Sequence, residues 1–336
     1  KGQVMTWLAA LGAWHRVAGG PPARVSVLLE GEEEIGSPNL DAFLEESAAE
    51  LRADVAIISD TNMWDFDTPA ISTRLRGLLY TQIDLRAATL DLHSGMYGGA
   101  ALNPLNLLPR ILADLRDSNG AVALPGFYDG VRPVPEAQKA AWEALGFDEA
   151  AFLGAVGLSH PAGETGRGAL ERLWARPTCD VNGIWGGYQG EGSKTVIARE
   201  AHAKVSFRLV PGQDPQRIAE SLRAFVAARL PPDCTAEVQV FGAAPAMEIP
   251  TDGAHVAAAR AALREEFGRE AALVGCGGSI PVVESLRRLL GMDTLMVGFG
   301  LEDDQVHGPN EKFEWRCLTR GARAHARVLA KLSKAD

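Results

Sequence analysis

No apolar run in this 336-residue chain reaches the ~18 to 20 residues that a membrane-spanning helix needs. A membrane partner is therefore not expected. Basic residues are also in short supply, with Lys and Arg at 33 against 43 Asp and Glu and a net charge of -10. That balance argues against nucleic acid and anionic lipid surfaces as partners, and suits metal ions and small substrates better. Cysteine is scarce and scattered: Cys179, Cys234, Cys276 and Cys317 form none of the paired spacings used by zinc fingers or redox motifs. The expectation is free thiols in a reducing, cytoplasmic setting. Internal repeats and low-complexity tracts are missing too, and a hydrophobic content of 46% leaves an ordinary globular protein with enough chain for two domains.

What is present starts with GEEEIGS, residues 31–37, where three adjacent glutamates follow an apolar stretch and precede a Gly-Ser turn. Like charges repel, so crowding them at one place calls for a positive charge among them. The preceding RVSVLLEG alternates Val25, Val27 and Leu29 as a strand does, and would deliver Glu33 and Glu34 at its C-terminal end. Ser37 and Pro38 offer a cap and a first-turn residue for a helix through NLDAFLEESAAEL. DVAIISD then reads as a buried parallel strand that ends on Asp60. Strand, helix, strand is the pattern of an α/β domain, whose ligands bind beyond the carboxyl ends of the strands. Two strands are thus expected to bring Glu33/Glu34 and Asp60 to one address.

The character changes near residue 71. ISTRLRGLLYTQIDLRA, KTVIARE, HAKVSFRLVP and TAEVQVFG read as strands, with helices over about 104–116 and 214–229 and a Gly- and Pro-rich middle of loops and short helices over about 117–180. Helix, strand, Gly-rich turn and helix return from DGAHVAAARAALREEFG onward, and an amphipathic helix closes the chain. The expected architecture is α/β, a split domain over 1–71 and 270–336 with a mostly parallel sheet flanked by helices, interrupted by an inserted α+β lid and dimerisation domain over 72–269. The strand edge of the insertion and the Leu/Ile face of LNPLNLLPRIL are the expected surfaces for a symmetric homodimer.

A run of glutamates is commonly a solvated face, a lone strand-end Asp a turn former, and a lone loop His solvated. Taken together, Glu34, Asp60 and His307 offer the oxygen and nitrogen donors that zinc or manganese takes, from three strand ends of one sheet. Adjacent glutamates can divide the work, one ligating and the other acting as general base.

The motifs EEIGS, SD at 59–60, DLHSGMYGG at 91–99, SKTVIAREAHAKVSFRLVPGQDP at 193–215, GGSIPV at 277–282 and HGPNEKF at 307–313 appear in order over essentially the whole chain. Together they resemble the co-catalytic zinc metallopeptidase family of carnosinase-type dipeptidases, acetylornithine deacetylase, succinyl-diaminopimelate desuccinylase and carboxypeptidase G, with the dipeptidase branch the most similar. The resemblance implies hydrolysis of the amide bond of dipeptides or short peptides bearing a free carboxylate, through a metal-bridged water. It makes Glu33 the general base, Glu34 and His307 ligands of one divalent ion and Asp60 a ligand of the other. His93 would stabilise the oxyanion across a homodimer, and Arg208 would take the substrate carboxylate, a task that suits a guanidinium fork. Thr195 and Ser279 would contact substrate near the same end, with Gly277 and Gly278 letting the backbone approach. Without the family, Arg208 reads as a surface arginine and Ser279 as a helix cap. The implied cofactors are two divalent ions, zinc first and manganese as the alternative.

The pattern departs from the family at its start. The resemblance implies two further ligands, a His in a His-x-Asp element and a bridging Asp just ahead of KG, and this sequence opens on Lys1-Gly2. Two cations without a shared counter-charge repel, so the expectation is an incomplete centre and an inactive polypeptide, with Glu33 or Glu34 relieving the crowding by protonation or by turning to solvent. Alternatives of other kinds are an N-acyl amino acid deacylase or desuccinylase, and a non-catalytic dimeric remnant.

Overall fold

A computed structural model describes residues 1–278 and 280–334. It is α/β, and the chain divides into two compact units. The first holds residues 1–75, 248–276 and those from 280 onward; the second holds residues 76–247 with Gly277 and Gly278.

In the first unit the strands Val55–Ile58, Asp293–Met296, Ala70–Leu75 and Ala272–Cys276 lie side by side in that order. Val55–Ile58 runs parallel to Asp293–Met296, and Ala272–Cys276 runs parallel to Ala70–Leu75. The two parallel pairs meet in a short antiparallel seam at Met296 and Ser72. Three long helices pack with this sheet: Gly2–Ala18, Ala254–Phe267 and Trp315–Leu332. The last buries Cys317, Gly321, Ala324, His325, Val328 and Leu329, the three- and four-residue spacing of a single apolar stripe. Gly19, at φ 78°, ends the first helix in a left-handed cap that costs a Cβ-free residue little. The core gathers Ile71, Val256, Leu263, Phe267, Leu295, Val297 and Phe299, and a satellite cluster joins Leu40 and Leu44 to Leu286, Leu290 and Met292.

Two local expectations are corrected here. Residues 24–30 form no strand: Val27 and Leu29 stand 57% and 66% exposed, because among the described residues no sheet edge takes up their backbone groups. Alternation alone does not make a strand without such a partner. The next helix begins at Leu40 with Asn39 as its cap, while Ser37 sits at φ 52° in the turn before it.

The second unit carries an antiparallel sheet in the order Thr178–Gly186, Glu200–Leu209, Gly77–Arg86, Thr235–Ala244. Period-two alternation sorts its faces. Leu79, Ile83, Leu85, Ala203, Val205, Phe207 and Leu209 point into the core, where the helices Pro104–Ala113 and Pro215–Ala227 cover them with Leu108, Ile111, Leu222 and Phe225. Both helices start as the sequence suggests, with Asn103 and Asp214 accepting from Leu105 N and Gln216 N at 2.9 Å and proline in the first turn. The apolar face of Pro104–Ala113, expected at a dimer surface, is instead spent on its own sheet: Leu108, Ile111 and Leu112 are buried there. Between 117 and 177 lie short helices at Glu136–Glu143, Glu149–Gly154 and Ala169–Trp174 among loops. Among the described residues, no helix is long and apolar enough to cross a membrane.

Candidate active site

Asp60 lies just past the strand Val55–Ile58, and the backbone beyond that strand stays zipped to the one beyond Asp293–Met296. Val297 N donates to Ile58 O at 3.0 Å, Gly300 N to Thr61 O at 3.4 Å, and Met63 N to Gly300 O at 2.9 Å. The approach is so close that a Cβ at position 298 would stand 1.9 Å from Thr61 O, and one at position 300 would stand 2.3 Å from Asn62 Oδ1. Gly298 and Gly300 are therefore what lets the two strand ends run on together.

The second strand end leads into the loop that carries His307. Asp304, 2% exposed, organises it: its carboxylate accepts from Leu301 N at 2.8 Å and from Lys312 Nζ at 3.2 Å. Gln305, His307 and Asn310 all hold positive φ, at 55°, 63° and 64°. Non-glycine residues in that region carry strain, which the Asp304 bonds hold in place.

The three glutamates have separate partners. Glu32 accepts from Asn39 Nδ2 at 2.9 and 3.0 Å, and Glu34 Oε1 meets His307 Nε2 at 2.9 Å. Glu33 opens the single 3-10 turn Glu33–Ile35, closed by Gly36 at φ 86°. Burial and then the charges of Asp60, Glu34 and Glu30 raise the Glu33 carboxyl above the usual range, with His307 opposing. Asp60 is raised by burial and by Glu34, against the pull of the N-terminal amine and His307. The Glu34 contact raises the His307 imidazolium. Glu33, Glu34, Asp60 and His307 thus share one electrostatic neighbourhood.

This set fits a divalent ion in kind, because mixed carboxylate and imidazole donors suit zinc and manganese. It does not fit in number: among the described residues no three His, Cys, Asp or Glu side chains gather closely enough to hold a metal.

In the second unit, His93 and Val196 pair in the two-residue ladder of Leu92–His93 with Val196–Ile197. Gly95 N donates to His93 Nδ1 at 3.0 Å, which in a neutral ring leaves the proton on Nε2, facing Thr195 Oγ1 at 3.4 Å. A side chain at 95 would strike the His93 ring at 2.9 Å. His93 and Thr195 are thus brought together, both solvent-exposed. Arg208 sits elsewhere on this unit, half-buried on the sheet face away from the helices, in register with Leu78 and Thr178. Gly277 O and Gly278 O accept from Arg76 Nε and N at 2.9 and 3.1 Å, which fixes the glycine turn. Ser279 lies outside the described residues. Sequence reasoning missed Asp304, since EDD at 302–304 looks like a solvated acidic run; its one signal is Lys312 eight residues on.

The model of peptidase family M20/M25/M40 matches residues 1–331, and the chain belongs to that family. It is 29% identical over 341 residues to the Beta-Ala-His dipeptidase of Rattus norvegicus, an alignment covering 99% of this chain and 69% of the rat protein. The Cys-Gly metallodipeptidase DUG1 of Candida albicans is 28% identical over 349 residues, covering 97% of this chain and 69% of its own. Among solved structures, the di-peptidase Dug1p of Saccharomyces cerevisiae superposes with a TM-score of 0.82 at 26% identity, over 98% of this chain and 70% of the yeast chain. The M20 family metallo-carboxypeptidase Sso-CP2 from Sulfolobus solfataricus gives 0.84 at 29% identity, over 98% and 76%. The fold class and the metallopeptidase family expected from the motifs are borne out, with dipeptidases among the relatives.

Proposed function

We propose that the protein serves metal-dependent hydrolysis of the amide bond in dipeptides or short peptides that end in a free carboxylate. The observation that carries this reading is the Glu34–His307 contact at 2.9 Å, set beside Glu33 and Asp60 in one electrostatic neighbourhood. The dipeptidase names of the relatives support the substrate class.

Glu34 and His307 would hold one divalent ion and Asp60 the other, with zinc first and manganese as the alternative. Such ions supply Lewis-acid polarisation of the scissile carbonyl and a more acidic water. The residues of the chain do the rest. Glu33, its carboxyl raised, takes a proton from the attacking water and returns it to the leaving amine. His93 presents Nε2–H to the developing oxyanion, a donor worth ~3 to 4 kcal/mol in comparable sites. Arg208 pairs with the substrate carboxylate, and Thr195 and Gly278 orient the same end. The second unit would act as lid and dimerisation domain in a homodimer, where His93 serves the site of the other copy.

Three donors do not complete a dinuclear centre, so the 336 residues alone would not turn over. Zinc-supplemented assays on dipeptides and on N-acyl amino acids test this. A protein joining these residues to two further ligands should cleave dipeptides and lose that activity in Glu33→Gln. Turnover by the 336 residues alone would overturn the incomplete-centre reading, and a preference for N-acyl amino acids would overturn the substrate.

A further inference from the structure

The first helix does more than pack. The side-chain amide of Gln3 bridges the two strand ends that lead to the candidate ligands: Nε2 donates to Thr61 O at 3.0 Å, and Phe299 N donates to Oε1 at 3.0 Å. It supplies a rung where the backbone ladder between these segments has opened to the 3.4 Å Gly300–Thr61 bond.

One turn further along, Trp7 Nε1 donates to Ser59 Oγ at 2.9 Å, and Ser59 Oγ meets His325 Nε2 at 3.1 Å. His325 Nδ1 meets Thr6 Oγ1 at 3.0 Å, and Thr6 donates to Gln3 O at 2.6 Å. With Trp7 donating to Ser59 and Thr6 to the Gln3 carbonyl, the imidazole bridges the two hydroxyls, and it also hydrogen-bonds the backbone of Val297. The imidazole is fully buried, stacked on Trp7 with ring centres 3.7 Å apart and met edge-on by Phe299 at 4.9 Å. Gly321 makes this fit possible, since a Cβ there would stand 2.7 Å from Phe299 and 3.0 Å from Thr6.

Both contacts land next to candidate ligands. Ser59 and Thr61 flank Asp60, and Phe299 opens the segment that runs through Leu301 and Asp304 to His307. A helix whose only task was to bury its stripe would need neither a bridging amide nor a relay of hydroxyls.

We infer that the first two turns of the helix Gly2–Ala18 form a clamp, in which Gln3 and the Trp7–Ser59–His325–Thr6 relay are positioning residues for Asp60 and for the His307 loop. The inference rests on the metallopeptidase reading only in calling Asp60 and His307 ligands. The clamp is a property of the strand ends.

Hydrogen exchange on the full chain tests it without any metal. Gln3→Met keeps the side-chain length and removes both bonds, so the Phe299 amide should exchange at least ~10-fold faster, and peptides over 59–63 and 297–308 should loosen. Exchange in the helix Ala254–Phe267 should hardly change. Gln3→Glu retains an acceptor and should exchange at Phe299 more slowly than Gln3→Met. Unchanged exchange at Phe299, or loosening spread evenly through the unit, would overturn the clamp.

Cobalt(II) uptake by the same variants supplies a reading that packing alone would not move. Affinity about 10-fold below wild type is expected, the usual scale when a ligand loses its support. Equal affinity despite local loosening would overturn the positioning role. No cobalt uptake by wild type would count against the metal site alone, with exchange still deciding the clamp.

Discussion

The two units place their candidate functional side chains in opposite ways. In the second, one face of a regular antiparallel sheet is fully buried from Leu79 to Leu209, and Arg208 follows on the other face by simple alternation. In the first, Asp60 and His307 stand beyond the ends of strands, where regular pairing gives way to glycines at 298 and 300, a buried Asp304 and the Gln3 bridge. Regularity makes a platform cheaply. Converging several polar groups takes irregular backbone, and irregular backbone takes specific side chains to hold it.

The units should also differ in their response to acid. Burial depresses the imidazole of His325 to about 3, so the native first unit keeps it neutral while the unfolded chain, near its ordinary 6.5, takes up a proton. That stability is present above 6.5 and is lost as pH falls toward 3, on the order of 5 kcal/mol over the whole window. Acid titration followed by exchange at the helix Trp315–Leu332 should show this, and His325→Gln should flatten it. In the second unit, burial pushes Tyr128 up to about 12, with its bond to Glu164 adding to the effect, and burial pushes Cys179 up to about 12 against the pull of Arg116, with Asp180 adding a little. Their contribution is present below their ordinary values of 10 and 9 and is lost as pH rises past those toward 12; burial also raises Cys317 of the first unit, to about 11, so alkali should loosen both units.

Substitutions sharpen the contrast. Phe207→Ala, in the regular sheet, should cost about 3 to 5 kcal/mol in denaturant unfolding. Its effect should stay within residues 76–247. Gly298→Ala, at the strand ends, should cost about 1 to 3 kcal/mol, because its methyl meets the backbone of Thr61 and not a yielding side chain. Asp304→Asn should cost about 1 to 3 kcal/mol, by weakening the bonds to Leu301 N and Lys312. Glu34→Gln should leave the unfolding midpoint where it is, since Glu34 and His307 are 72% and 71% exposed. A large shift in midpoint for Glu34→Gln, or none for Phe207→Ala, would erase the distinction between platform and site.

The same contrast explains what the sequence discloses. The sheet of the second unit and its two capped helices are legible because alternation and Asn-Pro and Asp-Pro starts are local signals. The candidate donors Glu34, Asp60 and His307 are legible by type and by their place after apolar runs. Their supports are not: Gln3 looks like any first-turn residue, His325 like one more position on an amphipathic helix, and Asp304 like part of a charged run. The strand expected over 24–31 fails for the converse reason, since its pattern is right and its partner is missing among the described residues.

The decisive measurement is zinc bound per polypeptide on the 336-residue protein after zinc saturation, repeated in Glu34→Gln. A centre with Glu34, His307 and Asp60 as its donors should hold fewer than two ions, weakly, and lose them with Glu34. Two tightly bound ions, or uptake indifferent to Glu34→Gln, would contradict it.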